Sequence, residues 1–205
     1  MARLPVVAFE VANGGANSAS RNAIVSALRQ LERDSTAYWN ALPLDEFLAP
    51  LGTGWSPEEN VRHLTTSVNG VARAMRLPRV VPRLLFGLAR TASRTFGELR
   101  AAYHHVLRAG GRAGRYAPTR VEITGDREHY RRHLMQRHQK AVADLCTRVL
   151  EWDESALDRY RFPHPLLGKL TVREMLLFTL YHNQHHVLVV ARRRGEFTSE
   201  ETPLH

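Results

Sequence analysis

The segment from Thr171 to about Arg193 has the pattern of one long helix that carries two histidines on its apolar face. Thr171 and Glu174 form a capping box, which is a usual start of a helix. At about 100° per residue, His182 and His186 share a face with these mostly apolar residues: Val172, Met175, Thr179, Val189 and Val190. Because side chains at positions i and i+4 lie one turn apart, both imidazoles can reach the same ion.

A third candidate ligand, His63, lies on another helix. Ser56, Pro57 and Glu59 predict the start of that helix, with a capping box and a proline at the first position. His63 flanks the apolar stripe, and small residues on its own face leave space beside the ring: Ser67, Gly70 and Ala74. Three imidazoles from two helices leave a coordination position open, as in catalytic zinc sites. Imidazole suits zinc, nickel, iron and copper, so it does not select the metal.

Other histidines show that the H-x3-H spacing by itself is weak evidence for a metal site. An H-x3-H pair also occurs at His129 and His133. Arginines surround that pair, so we expect it to face water. His104 and His105 are likewise expected to be a solvated pair within a long connection.

Four more side chains are candidates for groups around the site. His138 lies on a buried stripe and could fill the core, orient a metal ligand or add a polar group to a cavity. Tyr181 and Gln184 neighbour the candidate ligands and could orient them through hydrogen bonds. His164 stands between two prolines, and its expected role is loop packing.

The remaining sequence predicts two further long helices and two long connections. The expected elements, in chain order, are a helix at 19–38, a connection at 39–55, the helix from Ser56, a crossover at 77–125 with an extra helix from Leu84 to about Leu107, a helix at 126–151 capped by Asp126, a connection at 152–170 and the helix from Thr171. No stretch alternates like a strand over a useful length. The crossover is too long for a short hairpin, so it is expected to pass over the end of a bundle. The polar tail at 196–205 is expected to be loose.

The formal net charge of +9 comes from the middle of the chain. Fifteen basic and four acidic residues lie between 73 and 137, and 27 of the 29 basic residues are arginines. A GC-rich genome can produce such a bias. A solvated basic surface, or an arginine-lined entrance for an anionic substrate, explains this excess better than nucleic-acid binding.

Cysteine content and hydropathy limit the environment of the protein. Cys146 is the single cysteine, so the chain forms no internal disulfide and no thiolate cluster. A metal site must therefore use histidine and carboxylate. No apolar run approaches the roughly 20 residues that cross a bilayer. The apolar stretch at the N-terminus is also shorter than that of a secretory signal. We expect a cytoplasmic protein without a membrane partner.

Two separated motifs resemble the DinB-like (DinB/YfiT) superfamily of metalloenzymes. One runs from Trp55 to Leu64 and ends in V-R-H-L, and the other runs from His164 to His186 and includes H-P-L-L-G-K-L-T and H-N-Q-H-H. They occur in the right order, each with its helix start, and the resemblance covers roughly residues 19–193. The enlarged basic segment around 79–120 departs from the family pattern, so substrates of relatives do not transfer directly.

The resemblance implies an all-α four-helix bundle in up-down-down-up order, in a single domain over residues 1–205. It also implies that His63, His182 and His186 bind a divalent metal, zinc or nickel, and that the chain forms a homodimer. Characterised relatives include thiol-dependent S-transferases and isomerases that use mycothiol- or bacillithiol-type cofactors. Many other members are described as metal-dependent hydrolases.

Three functions are therefore open. The first is S-transfer from a low-molecular-weight thiol to an electrophilic small molecule, and the second is metal-dependent hydrolysis. The third is a non-catalytic, metal-stabilised bundle that binds a ligand. Glu58, Glu59 and Glu174 are all engaged at helix starts, which leaves no carboxylate well placed to activate water. This favours thiol activation.

Overall fold

A computed structural model describes residues 19–196, so residues 1–18 and most of the expected tail, 197–205, lie outside the described part of the chain. Four long helices dominate: α1 (Arg21–Ala41), α3 (Pro57–Met75), α6 (Arg127–Leu150) and α8 (Val172–Arg193). The shorter elements are α2 (Leu44–Leu48), α4 (Val80–Phe86), α5 (Phe96–Arg108), a 3₁₀ turn (Gly114–Tyr116), α7 (Glu154–Arg159), β1 (Arg161–His164) and β2 (Gly168–Thr171). The fold is all-α apart from this small two-stranded sheet.

Helices α3 and α6 lie side by side and run parallel. The Tyr130 hydroxyl donates to the Glu58 carboxylate near the start of both helices. Farther along, the Arg76 guanidinium donates to the Asp144 carboxylate at 2.7 Å. Parallel neighbours cannot be joined by a short turn, because the chain must return along the full length of the bundle. This explains why the connection between them is long and confirms the expected crossover.

The other long helices complete an up-down-down-up bundle, in which α1 and α3 each pack against both α6 and α8. The Ala19 carbonyl, just before α1, accepts from Arg173 in the first turn of α8, so these two helices begin at the same end. Asn60 near the start of α3 contacts His186 in the second half of α8, so these two begin at opposite ends. The order implied by the resemblance is confirmed.

Side-chain caps at the helix starts agree with the sequence. Complete capping boxes occur at Ser56 and Glu59 before α3 and at Thr171 and Glu174 before α8, both as predicted. Asp126 caps α6, also as predicted, by accepting from a backbone N–H three residues on. Each such cap stabilises its helix by about 1 kcal/mol.

The core forms where the apolar stripes of the four helices meet. Side chains with no exposed surface include Ile24, Leu145, Leu176 and Leu180. Full burial of one such side chain contributes roughly 1.5–3 kcal/mol, so the core stabilises the bundle far more than its caps do. Among residues 19–196, no helix is long and apolar enough to cross a membrane.

The extra helix expected from Leu84 to about Leu107 is in fact two helices, α4 and α5. Gly87 separates them: its φ of +73° is favourable for glycine and incompatible with continuing a right-handed helix. The chain after Gly87 is pinned to the segment before β1, because Leu88 forms a β-bridge with Tyr160. A third complete capping box, at Thr95 and Glu98, then starts α5.

The connection at 152–170, for which no strand was expected, contains α7 and a β-hairpin. Arg161 pairs with Thr171 and His164 pairs with Gly168, in antiparallel register. Gly168, at φ +75°, allows the tight return of the chain. Each strand has four residues, which is too short for a recognisable alternation. A short helix, α2, also occupies part of the connection expected at 39–55.

Candidate metal centre

Three imidazole Nε2 atoms converge between α3 and α8. The Nε2 atom of His182 lies 3.2 Å from that of His63 and 3.0 Å from that of His186. Ligand atoms of a tetrahedral zinc ion at Zn–N distances of 2.0–2.1 Å are about 3.3 Å apart. The spacing of the rings therefore matches three ligands of one ion. Within residues 19–196, no second group of three histidine, cysteine or acidic side chains has such geometry.

The orientation of His63 depends on the crossover. Its Nδ1 lies 2.8 Å from the carbonyl oxygen of Tyr116, in the 3₁₀ turn. A carbonyl oxygen can only accept a hydrogen bond, so Nδ1 of His63 must carry the proton. In the neutral ring, Nε2 then has a free lone pair directed at the other two histidines.

The orientation of His186 depends on Asn60. The amide nitrogen of Asn60 donates to the Ser56 carbonyl at 2.8 Å, which assigns the two ends of the amide. Its Oδ1 therefore faces Nδ1 of His186, at 2.6 Å, and accepts a hydrogen bond from it. His186 is thus held in the same tautomer as His63, with its lone pair on Nε2.

This arrangement fits a cation. The Nε2 lone pairs of His63 and His186 both face Nε2 of His182, which can carry at most one proton. A divalent ion would satisfy all three lone pairs at once. Partners that hold the far nitrogen of a ligating histidine are typical of metal sites.

The three rings are held neutral by their surroundings. Burial lowers the pKa of His63 from its usual value, opposed by the hydrogen bond to Tyr116. Burial, followed by the neighbouring histidines, lowers the pKa of His182 and His186 well below the usual value. Neutral imidazole is the form that binds metal, so protons compete little near pH 7.

Aromatic rings pack against the histidines. The indole of Trp55 stacks on His186 with a centroid distance of 5.9 Å and an interplanar angle of 6°. Phe178 stacks on His182 at 5.2 Å and 22°. These rings restrict the rotation of the imidazoles and exclude water from their faces.

A cavity of about 310 Å³ opens beside His63 and His182. One wall is the face of α3 that carries the small side chains Ser67, Gly70 and Ala74, which confirms the space predicted beside His63. The remaining lining residues come from the crossover, the hairpin and α5 and α8: Tyr103, Arg112, Ala113, Tyr116, Phe162, Pro163, His164, Pro165, Leu166, Met175, Phe178 and Thr179, with Thr66 and Val71 from α3. The lining is largely apolar, and no carboxylate is among these residues.

His164 has a larger role in this cavity than loop packing. Its Nδ1 accepts from the backbone N–H groups of Leu166 and Leu167, at 3.2 and 3.0 Å. Nε2 therefore carries the proton of the neutral ring. Burial lowers the pKa of His164 to about 4, so the ring stays neutral near pH 7. The turn thus fixes the ring of His164 as an uncharged imidazole in the lining of the cavity.

The other candidate side chains lie outside the cluster. His138 is buried, and its Nδ1 lies 3.1 Å from the hydroxyl of Thr65, so it fills the core between α3 and α6 rather than touching the three rings. Gln184 is partly buried, and within the described chain no hydrogen bond joins it to the three histidines. The structure thus favours the core-filling alternative for His138, and it gives Gln184 no hydrogen bond through which to orient the three rings.

Tyr181 belongs to a separate polar group. Its hydroxyl lies 2.8 Å from Nε2 of His104 and 3.2 Å from Nδ1 of His185. The expectation that His104 is solvated was wrong, because α5 packs on α8 and brings the two side chains together. His105, one residue on, is exposed as expected.

The pair with identical spacing on α6 behaves as predicted, since His129 and His133 are both exposed. Asn60 and the Tyr116 carbonyl, which orient the candidate ligands, were not anticipated. Asn60 had a detectable signal: it lies one turn before His63 on the same helix and inside the first motif. No sequence signal marks the Tyr116 carbonyl, because every residue has a backbone carbonyl.

Comparison with known proteins agrees with this geometry. No curated protein and no solved structure matches the chain. The sequence profile of the DinB superfamily matches residues 27–190, which include most of α1 and nearly all of α8, with the three converging histidines between its limits. The chain belongs to the DinB superfamily.

Proposed function

We propose that this protein is a divalent-metal-dependent enzyme whose metal is held by His63, His182 and His186. The observation that carries the proposal is the convergence of three Nε2 atoms, two of them in an assigned tautomer, beside a cavity. An ion bound there keeps a coordination position for a further ligand, and it supplies Lewis acidity that lowers the pKa of a thiol or a water molecule. Zinc and nickel are the metals we expect.

The reaction that we propose is transfer of a thiol sulfur to an electrophilic small molecule. Metal-dependent hydrolysis of an ester or amide usually also uses a general base that takes a proton from the attacking water and passes it to the leaving group, and the cavity lining contains no carboxylate for that role. The nearest acids are occupied: Glu58 accepts from Arg62 and Tyr130, and Glu59 and Glu174 complete capping boxes. Thiol activation has no such requirement, since an acidified thiol gives up its proton to solvent.

The chain's own residues then bind and orient the reactants. The apolar wall favours an apolar electrophile, and Arg112, exposed at the cavity, can pair with a carboxylate of the thiol or of the substrate. The N–H of His164 can donate to an oxygen or to the leaving group. In the reaction, the S–C bond forms as the bond from carbon to the leaving group breaks, and the electron pair leaves with that group.

Metal analysis paired with a thiol panel tests this function. The purified protein, His186→Ala and the matched control His129→Ala are analysed for bound metal. Mycothiol, bacillithiol, glutathione and coenzyme A are then offered with an electrophilic acceptor, and loss of free thiol is followed. We expect metal in the wild type and the control but not in His186→Ala, and turnover with one thiol.

Three outcomes contradict the proposal. Equal metal content in His186→Ala and the wild type means that the ligand assignment is wrong. Metal-dependent hydrolysis of ester or amide substrates, without use of any thiol, favours the hydrolase instead. A metal-loaded protein that turns over neither class is the non-catalytic, ligand-binding bundle.

A further inference from the structure

A second pocket, which shares no lining residue with the cavity at the candidate metal centre, has three arginines in its lining. It has a volume of about 680 Å³, and its lining residues are Arg83, Gly87, Leu88, Arg90, Thr91 and Arg161. None of them is acidic. Three guanidinium groups around one pocket repel each other, which costs stability unless an anion lies among them.

Arg161 is held in place at this pocket. Its Nη2 donates to the carbonyl of Phe86 at 2.7 Å, at the end of α4. A Cβ on Gly87 would lie 2.9 Å from that Nη2, so a larger residue there would displace the guanidinium. The guanidinium is therefore packed against backbone instead of extending freely into solvent.

The walls of the pocket are fixed by backbone contacts. Leu88 forms a β-bridge with Tyr160, and the N–H of Ala89 donates to the Arg159 carbonyl at 2.8 Å. Helix α4 packs against β1, the strand that begins with Arg161. The backbone positions of the three arginines are therefore fixed before a ligand binds, and the guanidinium of Arg161 is also held by its hydrogen bond to Phe86.

One hydrogen-bond donor at the pocket is unsatisfied. The Nε atom of Arg161 is buried and has no partner. Arg83 and Arg90 are exposed, and no ion pair or hydrogen bond to an acidic side chain of the described residues neutralises them. Nearby Asp158 is already engaged by Ser93 and Arg173. A buried donor without an acceptor needs an explanation, and an acceptor that does not belong to the chain, such as a water molecule or an anion, supplies one.

We infer that this pocket binds a phosphate-type dianion, such as the phosphate group of a small organic phosphate. Guanidinium groups bind phosphate oxygens through paired hydrogen bonds, and three positive charges suit a dianion better than a single carboxylate. The site is distinct from the cavity at the histidines. The strand β1 connects the two, because Arg161 begins it and His164 ends it.

Isothermal titration calorimetry of the metal-loaded full chain with inorganic phosphate, pyrophosphate and acetate tests this site. The variant Arg83→Gln/Arg90→Gln removes two exposed charges at the pocket. The control Arg120→Gln/Arg132→Gln removes two exposed charges elsewhere. We expect one phosphate per chain in the wild type and the control, acetate binding much more weakly, and affinity for phosphate reduced about tenfold or more in the pocket variant.

Four results overturn the inference. Absence of saturable phosphate and pyrophosphate binding by the wild type removes the site. Equal weakening in the pocket variant and the control means non-specific attraction to a basic surface, and undiminished binding in the pocket variant means that phosphate binds elsewhere, including at the metal. Acetate binding as tight as phosphate binding contradicts the dianion. None of these results bears on the three histidines, whose metal content is measured separately.

Discussion

The side-chain amide of Asn60 orients His186: Oδ1 accepts from Nδ1 of the ring at 2.6 Å, while the amide nitrogen donates to the Ser56 carbonyl at 2.8 Å. Replacing Asn60 by Ala removes the acceptor, so the ring is free to rotate and to change tautomer. We expect metal affinity to fall about 10- to 100-fold. Competition with a coloured chelator measures it. The control Asn69→Ala, on the same helix, keeps wild-type affinity, and an unchanged affinity in Asn60→Ala contradicts this role.

Metal removal should lower the melting temperature. A ligand that binds only the folded state stabilises it by about 2.7 kcal/mol at a hundredfold excess over Kd and about 4.1 kcal/mol at a thousandfold excess. We expect a chelator to lower the melting temperature of the wild type and of the exposed-histidine control His133→Ala. It should have no effect on His63→Ala. Calorimetry measures the melting temperatures. Equal melting temperatures for the wild type with and without chelator contradict this prediction.

Acid should destabilise the fold through His138. Burial lowers its pKa to about 4, whereas a histidine in the unfolded chain titrates near 6.5. Between these values the unfolded state binds the extra proton, so stability is complete above pH 6.5 and declines as the pH falls toward 4. At pH 5, this one group lowers the free energy of unfolding by about 2 kcal/mol.

The variant His138→Asn isolates that contribution. The Thr65 hydroxyl donates to the Val61 carbonyl, so it accepts from Nδ1 of His138, and an asparagine amide can make the same donation without titrating. Chemical unfolding at pH 7 and pH 5, with a chelator present, should show a smaller loss in His138→Asn than in the wild type. His133→Asn, at an exposed position of the same helix, should match the wild type. Parallel losses in all three proteins rule out His138 as the source.

The buried guanidinium of Arg173 joins α8, through hydrogen bonds and ion pairs, to the segment before α1 and to α7. It is 1% exposed and lies 2.8 Å from both Glu154 and Asp158. Breaking a buried ion pair costs about 3–5 kcal/mol, and the partially exposed carboxylates regain some hydration. We expect Arg173→Met to lower the free energy of unfolding by about 2–3 kcal/mol in urea titrations. Arg76→Met, which breaks an exposed pair with Asp144, should cost under about 1 kcal/mol. Equal losses in the two variants contradict the importance of burial.

Local sequence patterns predicted the long helices and the positions of the three histidines on them, whereas the up-down-down-up order came from the resemblance to the family. Capping boxes at Ser56 and Thr171 depend on residues three apart, and the positions of His182 and His186 follow from helical periodicity alone. The orientation of the rings could not be predicted, because it depends on contacts distant in sequence. The acceptor for His63 lies 53 residues away, and it is a backbone carbonyl that no side-chain pattern marks.

The irregular segments were predicted least well, for a similar reason. The pairing of α5 with α8 decides that His104 meets Tyr181, 77 residues away, instead of water. The split between α4 and α5 depends on Gly87, whose positive φ is needed where Arg161 approaches its backbone. Such tertiary contacts override local helical preference and leave no periodic signal.

The crossover serves the metal centre and the cavity together. The turn at Gly114–Tyr116 holds His63 through the Tyr116 carbonyl, and the same stretch contributes Arg112 and Ala113 to the cavity wall. A mutation that reshapes this wall for a different substrate also moves the acceptor on which the His63 tautomer depends. In the proposed enzyme we therefore expect substrate range and metal retention to be coupled, so that an engineered change in the first has to be selected together with the second.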